Sequence, residues 1–319
     1  MKYFALLFLA LPCSAQQPGV VEKWDAELDR VYSSGELPEV ISEGYTWTEG
    51  PLWISGRLLF SDVPGNAVYQ WTEAGGTSLY LRPSGFTGER SQSREPGSNG
   101  LLKDLQGNLL LCQHGDRRMA RMDAPVSAPL PQFTTLADRY QNQRFSSPND
   151  AVINSNGEIF FTDPPYGLVR QNDDDPAKEI AFNGVYMIKT NGEVILLTDS
   201  LTRPNGIALF PDERRLLVAN SDPAKPHWYV YDIGNEGLSN GRIFYSRQEK
   251  LRGVPDGLKI DSRGYVYTSG PGGILILNAD GKALGRLRLD EPVSNCALSE
   301  DEKTLYITNN TRVLRWRMR

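Results

Sequence analysis

Six segments of this 319-residue chain repeat one pattern, and the repetition limits the fold more than any other feature of the sequence. Each copy opens on Glu, Asn or Asp, usually followed by Gly. A short apolar stretch, a polar turn and a β-rich stretch ending on a polar residue come next. The copies are EGPLWISGRLLFSD from Glu49, NGLLKDLQGNLLLCQH from Asn99, NDAVINSNGEIFFTD from Asn149, NGIALFPDERRLLVAN from Asn205, DGLKIDSRGYVYTSG from Asp256 and NCALSEDEKTLYITN from Asn295. Their starts are 50, 50, 56, 51 and 39 residues apart. The central turns are rich in Gly, Asp, Asn, Ser and Pro, which is hairpin chemistry. A third strand-like run follows most copies (NAVYQWT, RRMARMD, GVYMIKT, HWYVYDI, GGILILN, RVLRWRM), and a fourth is visible in several, as in GEVILLT and KALGRLRL. Four antiparallel strands repeated six times predict an all-β fold, a six-bladed β-propeller. The last copy stops at a third strand, so LPEVISE at 37–43 is expected to supply the missing fourth and close the ring from the N-terminal side. WDAELDRVYS before it reads as a short amphipathic helix. Loops 83–98 and 164–182, rich in Gly, Pro and charge, are expected to cover one face.

The repeat makes residues 16–319 a single domain. Residues 1–15 read as a secretory signal peptide: Lys2, an apolar run from Tyr3 to Pro12, then Cys13, Ser14 and Ala15, with cleavage after Ala15. The run is too short to span a bilayer, which takes about 20 apolar residues. Lipid attachment at Cys13 is the alternative, and Pro12 before it fits poorly. The expected location is secreted or periplasmic, with no membrane attachment after cleavage, as a monomer or weak oligomer. Cys112 and Cys296 belong to the second and sixth copies and are expected to be buried, unbonded thiols. A formal charge of −5 without a basic block argues against a nucleic-acid partner. Only two histidines are present, and no G-x-S-x-G elbow occurs, so a His-rich zinc site or a Ser-His-Asp triad is hard to assemble.

Equivalent positions of a propeller are related by rotation about the central channel. Glu49, Asn99, Asn149, Asn205, Asp256 and Asn295 should therefore ring one end of that channel. The ends of the second strands, Asp62, His114, Asp163, Asn220, Ser269 and Asn309, should form an outer ring there. Singly, an Asn-Gly or Asp-Gly is turn chemistry. Six in phase, with two acids among four amides, are the oxygen set that a hard divalent cation takes. Calcium is expected first; magnesium, manganese and zinc are the alternatives. His114, at a strand end with Arg117 and Arg118 beyond it, reads either as a substrate-binding or proton-shuttling residue or as a structural histidine at a blade edge. His227 and Trp228 read as packing or pocket-rim residues.

The motifs TEGPLW (48–53), GSNGL (97–101), SSPNDAV (146–152), FFTDPPYG (160–167), LTRPNGIA (201–208) and GVPDGLKID (253–261) resemble those of the gluconolactonase and senescence-marker-protein (regucalcin-like) family. LCQHGDRRMARMD (111–123) is similar to its bacterial gluconolactonase branch, and the likeness covers about residues 24–319. The resemblance implies a six-bladed propeller with a central divalent metal held by the Glu of E-G-P, the Asn of P-N-D, the Asn of P-N-G and the Asp of P-D-G. In this chain these are Glu49, Asn149, Asn205 and Asp256. It also implies Asp256 as general base and Asn99 as a contact to a substrate hydroxyl, and it leaves Asn295 outside the metal set. The expected activity is metal-dependent opening of a sugar lactone, with the cation polarising the carbonyl and Asp256 activating water. The competing readings are a hydrolase of another electrophile, such as an organophosphate or a different lactone, and a non-catalytic calcium- or sugar-binding propeller.

Overall fold

The runs RLLFSD, LLLCQ, IFFTD and RLLVAN each hold three or more consecutive apolar residues, where a half-exposed strand would alternate. In the computed structural model these second strands have both faces buried, one against each neighbouring blade. Phe160 packs toward the fourth blade while Ile159 and Phe161 pack toward the second. In the fourth blade, Leu216 and Val218 face the third, and Leu217 and Ala219 face the fifth. The apolar side chains accordingly divide into six clusters, one at each blade–blade interface. The structure describes residues 18–235 and 237–319; the expected signal peptide at 1–15, with Cys13, lies outside the described residues.

The blades are six antiparallel sheets, built of consecutive strands except where the two N-terminal strands join the fifth and sixth. Their inner strands are Thr48–Ile54, Ser98–Lys103, Ala151–Ile153, Pro204–Leu209, Leu258–Ile260 and Asn295–Leu298. Each touches the inner strand of the blade before and after it, and the first touches the last, so the ring is closed. Closure is as expected: Glu39–Glu43 pairs antiparallel with Arg312–Arg317 and supplies the outer strand of the sixth blade. Two features go beyond the repeat. Gly19–Lys23 adds a fifth strand to the fifth blade by pairing with Ala283–Leu289. The segment between the two N-terminal strands forms only one 3₁₀ turn, Ala26–Arg30, capped by Asp25, whose Oδ1 accepts from Glu27 N at 2.9 Å. That turn places Leu28 and Val31 in the cluster between the fifth and sixth blades. Cys112 and Cys296 are buried free thiols in separate clusters, as expected.

The residue after each ring position carries a second structural message. Gly50 has φ +50°, and a Cβ there would stand 2.0 Å from the carbonyl oxygen of Asn99. At Gly206 a Cβ would stand 2.1 Å from the carbonyl oxygen of Asp256. Glycine at these positions lets one blade's inner strand touch the ring residue of the next blade, and only hydrogen fits. The recurring glycine is therefore an inter-blade contact as well as a turn signal. The third copy departs from it with Asp150, whose Oδ1 accepts from Ala151 N at 2.9 Å.

Candidate active site

The first strand of each blade is aimed by its own second strand. Asp62 Oδ1 accepts from the backbone N–H groups of Thr46 and Trp47, just before Glu49. Asp163 takes Ser146 N at 2.8 Å and Ser147 N at 2.6 Å, just before Asn149. Asn220 Oδ1 takes Arg203 N at 2.7 Å, two residues before Asn205. Ser269 Oγ takes the N–H of Asp256 itself at 3.0 Å. Asn309 Nδ2 donates to the carbonyls of Glu291 and Pro292 ahead of Asn295. Five of the six outer-ring side chains are thus spent on the chain entering an inner strand, and none of the six lines the cavity.

Where the inner strands converge, Glu49, Asn99, Asn149, Asn205 and Asp256 line one cavity of about 240 Å³ on the channel axis. Four of them are nearly buried: Glu49 and Asn149 are 3% exposed, Asn99 4% and Asn205 5%. Asp256 is half-buried, the ring acid that solvent reaches. The local bonding leaves part of this oxygen set without donors. Asn205 Nδ2 donates to Ser221 Oγ at 2.9 Å, which turns its carbonyl oxygen away from that contact. Asn99 Oδ1 is buried without a hydrogen-bond partner. The carboxylate of Glu49 accepts from the adjacent Gly50 N at 3.0 Å.

The electrostatics follow from this crowding of acids. Burial, with the charges of Asp150 and Glu95 nearby, pushes the Glu49 carboxyl up to about 8. Burial, then the charge of Glu49, raises Asp256 well above the usual carboxylate range. Neither forms an ion pair with Lys or Arg among the described residues. The Nζ of Lys259 instead stands 3.9 Å from Asp150 Oδ2. Two acids and two or three carboxamide oxygens, converging without a counter-charge, fit a hard divalent cation. No group of three or more His, Cys, Asp and Glu side chains able to share an ion occurs among the described residues. A ligand set here reaches four only through the Asn oxygens.

Two ring members behave differently from the rest. Asn295 turns toward the third blade: its Nδ2 donates to Asp150 Oδ2 at 3.3 Å, and its Oδ1 accepts from Lys259 Nζ at 3.4 Å. It belongs to a polar cluster beside the cavity and is absent from the cavity wall, in keeping with its exclusion from the metal set. His114 is fully buried and is not brought to the cavity wall. Gln113 ends its strand, with Nε2 donating to Ser84 O at 2.8 Å, and His114 turns behind the wall against Gly167 and Glu95. Both of its ring nitrogens lack hydrogen-bond partners, and burial pushes its pKa down to about 3. A neutral imidazole sealed from the cavity cannot touch a ligand there, so the structural alternative is the one the geometry favours. His227 lies away from the cavity, its Nδ1 2.8 Å from Ser246 Oγ, and Trp228 is core.

The cavity also holds side chains that the repeat did not point to. Glu95 comes from loop 83–98 and Tyr166 from loop 164–182; Trp47 and Ser221 complete much of the wall. The motif TEGPLW begins one residue after Trp47, and FFTDPPYG contains Tyr166, so proximity to the motifs was the only sequence signal for either.

Fold and cavity together define a class: six-bladed propellers with a carboxylate–carboxamide centre on the axis. Residues 47–311 match the SMP-30/Gluconolactonase/LRE-like region, and the chain belongs to that family. It is 38% identical over 311 residues to a gluconolactonase of Zymomonas mobilis, covering 94% of this chain and 86% of that one. It is 29% identical to a regucalcin of Danio rerio, covering 87% of each. The solved gluconolactonase of Xanthomonas campestris superimposes with a TM-score of 0.81 at 27% identity, over 99% of both chains.

Proposed function

We propose that this chain is a divalent-cation-dependent lactonase that opens sugar lactones. The observation that carries the assignment is the convergence of Glu49, Asn149, Asn205 and Asp256 on one axial cavity in which Asp256 alone of the four is open to solvent. Its likeness to gluconolactonases supplies the substrate class. Glu49, Asn149, Asn205 and Asp256 would hold the cation, calcium first, with magnesium, manganese or zinc as alternatives. When bound, the cation supplies Lewis acidity to the lactone carbonyl.

The chain's own residues do the rest. With a cation held beside it to offset the burial and the Glu49 charge that raise its pKa, the Asp256 carboxyl stays ionised and takes a proton from the water whose oxygen attacks the carbonyl carbon. It returns that proton to the ring oxygen as the ring C–O bond breaks, leaving a hydroxy acid. Asn99, with a free buried acceptor, holds a substrate hydroxyl. Trp47 and Tyr166 offer rings to the C–H faces of the sugar and narrow the space open to bulk water. A lactone is an activated ester, so one positioned base suffices.

A pH-indicator assay over a panel of sugar lactones, with and without chelator, tests the assignment. The metal-loaded protein should open at least one of them, and the chelated protein should not. Asp256→Asn should keep the fold and lower turnover by about 10²–10⁴, the worth of a general base. Near-wild-type turnover in that variant would remove Asp256 from the base role. A metal-loaded wild type that binds calcium yet opens no lactone would hand the chain to the binding-protein reading. We further propose that the protein acts outside the cytoplasm after loss of residues 1–15. Intact-mass analysis of exported material should show a chain beginning at Gln16, and a retained Met1 would refute this.

A further inference from the structure

Glu95 is a carboxylate on the cavity wall that the proposed chemistry leaves unused. The chain around it is fixed. Its N–H donates to Ser93 Oγ at 3.0 Å, Gly115 N donates to Pro96 O at 3.2 Å, and Gly97 N donates to Val63 O at 2.9 Å. One carboxylate oxygen is also fixed: Gln171 Nε2 donates to Glu95 Oε1 at 3.0 Å and to Tyr166 O at 3.0 Å. That amide ties loop 83–98 to loop 164–182 beside the cavity. The other oxygen, Oε2, accepts no hydrogen bond among the described residues and stands 3.7 Å from His114 Nδ1. The Glu95 side chain is 23% exposed and lines the same cavity as Asn99, whose Oδ1 is likewise without a donor.

Burial pushes the Glu95 carboxyl up to about 7; in its ionised form Oε2 joins Asn99 Oδ1 as an acceptor without a donor, a wall that asks for donors. A lactone ring carries acceptors alone, at its carbonyl and ring oxygen. Donors come only from hydroxyl substituents. We propose that Glu95 is a specificity-determining residue, its Oε2 accepting a hydrogen bond from a ring hydroxyl so that hydroxylated lactones are preferred over unsubstituted lactones of the same ring size. This rests on the lactonase reading and deepens it. A ligand without hydroxyls strips water from Glu95 and Asn99 and returns nothing, which is how a polar site rejects an analogue that lacks the matching group.

The test compares glucono-δ-lactone with δ-valerolactone, both six-membered rings, on metal-loaded wild type, Glu95→Gln and Gln171→Ala. δ-Valerolactone is judged by its rate or, where turnover is too slow, by its inhibition constant. Glu95→Gln should lose about 10- to 100-fold in kcat/KM for gluconolactone, mostly through KM, the worth of one charge-assisted hydrogen bond. Its handling of δ-valerolactone should not fall, since a neutral amide costs less to strip of water than a carboxylate. Gln171→Ala keeps the carboxylate but frees it, and should raise the KM for gluconolactone several-fold while leaving δ-valerolactone unchanged. This second variant decides the matter if Glu95→Gln fails to fold. Equal losses on both lactones, or no loss on gluconolactone, would overturn the assignment of Glu95 while the lactonase reading stands. A wild type that opens neither lactone would end that reading, and the role of Glu95 with it.

Discussion

Gly206→Ala is the sharpest test of how the ring positions its residues. Gly206 follows Asn205, and a Cβ on residue 206 would lie 2.1 Å from Asp256 O and 2.8 Å from Gly257 Cα. Both obstacles are backbone, so no side-chain rotation relieves them. Carbon approaches a carbonyl oxygen to about 3.3 Å, so the inner strands of the fourth and fifth blades must part by about 1.2 Å. Overpacking of this kind costs about 1–3 kcal/mol, and the rigid obstacles put this case near the upper end. The strands that part carry Asn205 and Asp256, and a misplacement near 1 Å costs about 100-fold in rate. Urea denaturation should show a lower midpoint with an unchanged slope, and lactone opening should fall alongside it. Gly107→Ala is the control: Gly107 has φ +86°, and a Cβ there would meet nothing within 4 Å. It should cost about 1 kcal/mol from its left-handed backbone alone and leave the kinetics untouched. If Gly206→Ala is within about 0.5 kcal/mol of wild type, a spread ordinary for neutral surface changes, with full activity, the inter-blade contact has been misjudged.

Asp163→Ala strands the N–H groups of Ser146 and Ser147, each buried orphan costing about 1–3 kcal/mol, so equilibrium unfolding should show at least ~2 kcal/mol lost. A loss under about 1 kcal/mol would show that the outer ring does not hold the loops, because even one orphan should cost that much. His114 gives a pH signature. Its folded pKa is about 3, against about 6.5 in the unfolded chain. Between those values the unfolded chain binds the proton and the fold does not, so its contribution to stability is lost as pH falls. The stability of wild type relative to His114→Gln should therefore drop by about 2 kcal/mol from pH 7 to pH 5, and a pH-independent difference would refute a sealed neutral imidazole.

The repeat made the axial residues readable because rotation fixes their phase: once Glu49 and Asp256 were aligned as equivalent, their meeting followed from symmetry. Phase alone did not reveal direction. His114 occupies the outer-ring position of its copy, yet Gln113 one residue earlier makes the bond to Ser84 O, and His114 turns behind the wall. Asn295 holds the right phase too, but Asp150, standing where four of the copies have Gly, draws its amide away. Glu95 and Tyr166 sit on inserted loops with no counterpart in other copies, so no periodicity could place them. Gly19–Lys23 lies outside the repeat, and its pairing to the fifth blade depends on an edge that only the assembled sheet presents.

The sixth blade, stitched from Glu39–Glu43 and residues 295–317, has a consequence for synthesis. A nascent chain emerging from the ribosome can stack blades one through five in order, but its first blade waits with one flank bare. Trp53, which in the finished protein stacks on Tyr306 at 5.1 Å and 5°, has nothing to stack on until the last copy is made. Leu58, Phe60 and Trp71 wait beside it. Such a half-made ring presents an apolar surface of the kind that aggregates at micromolar concentration. A stop codon just before residue 295 should accordingly yield insoluble protein, since what it removes is the wall that two ends of the chain build together.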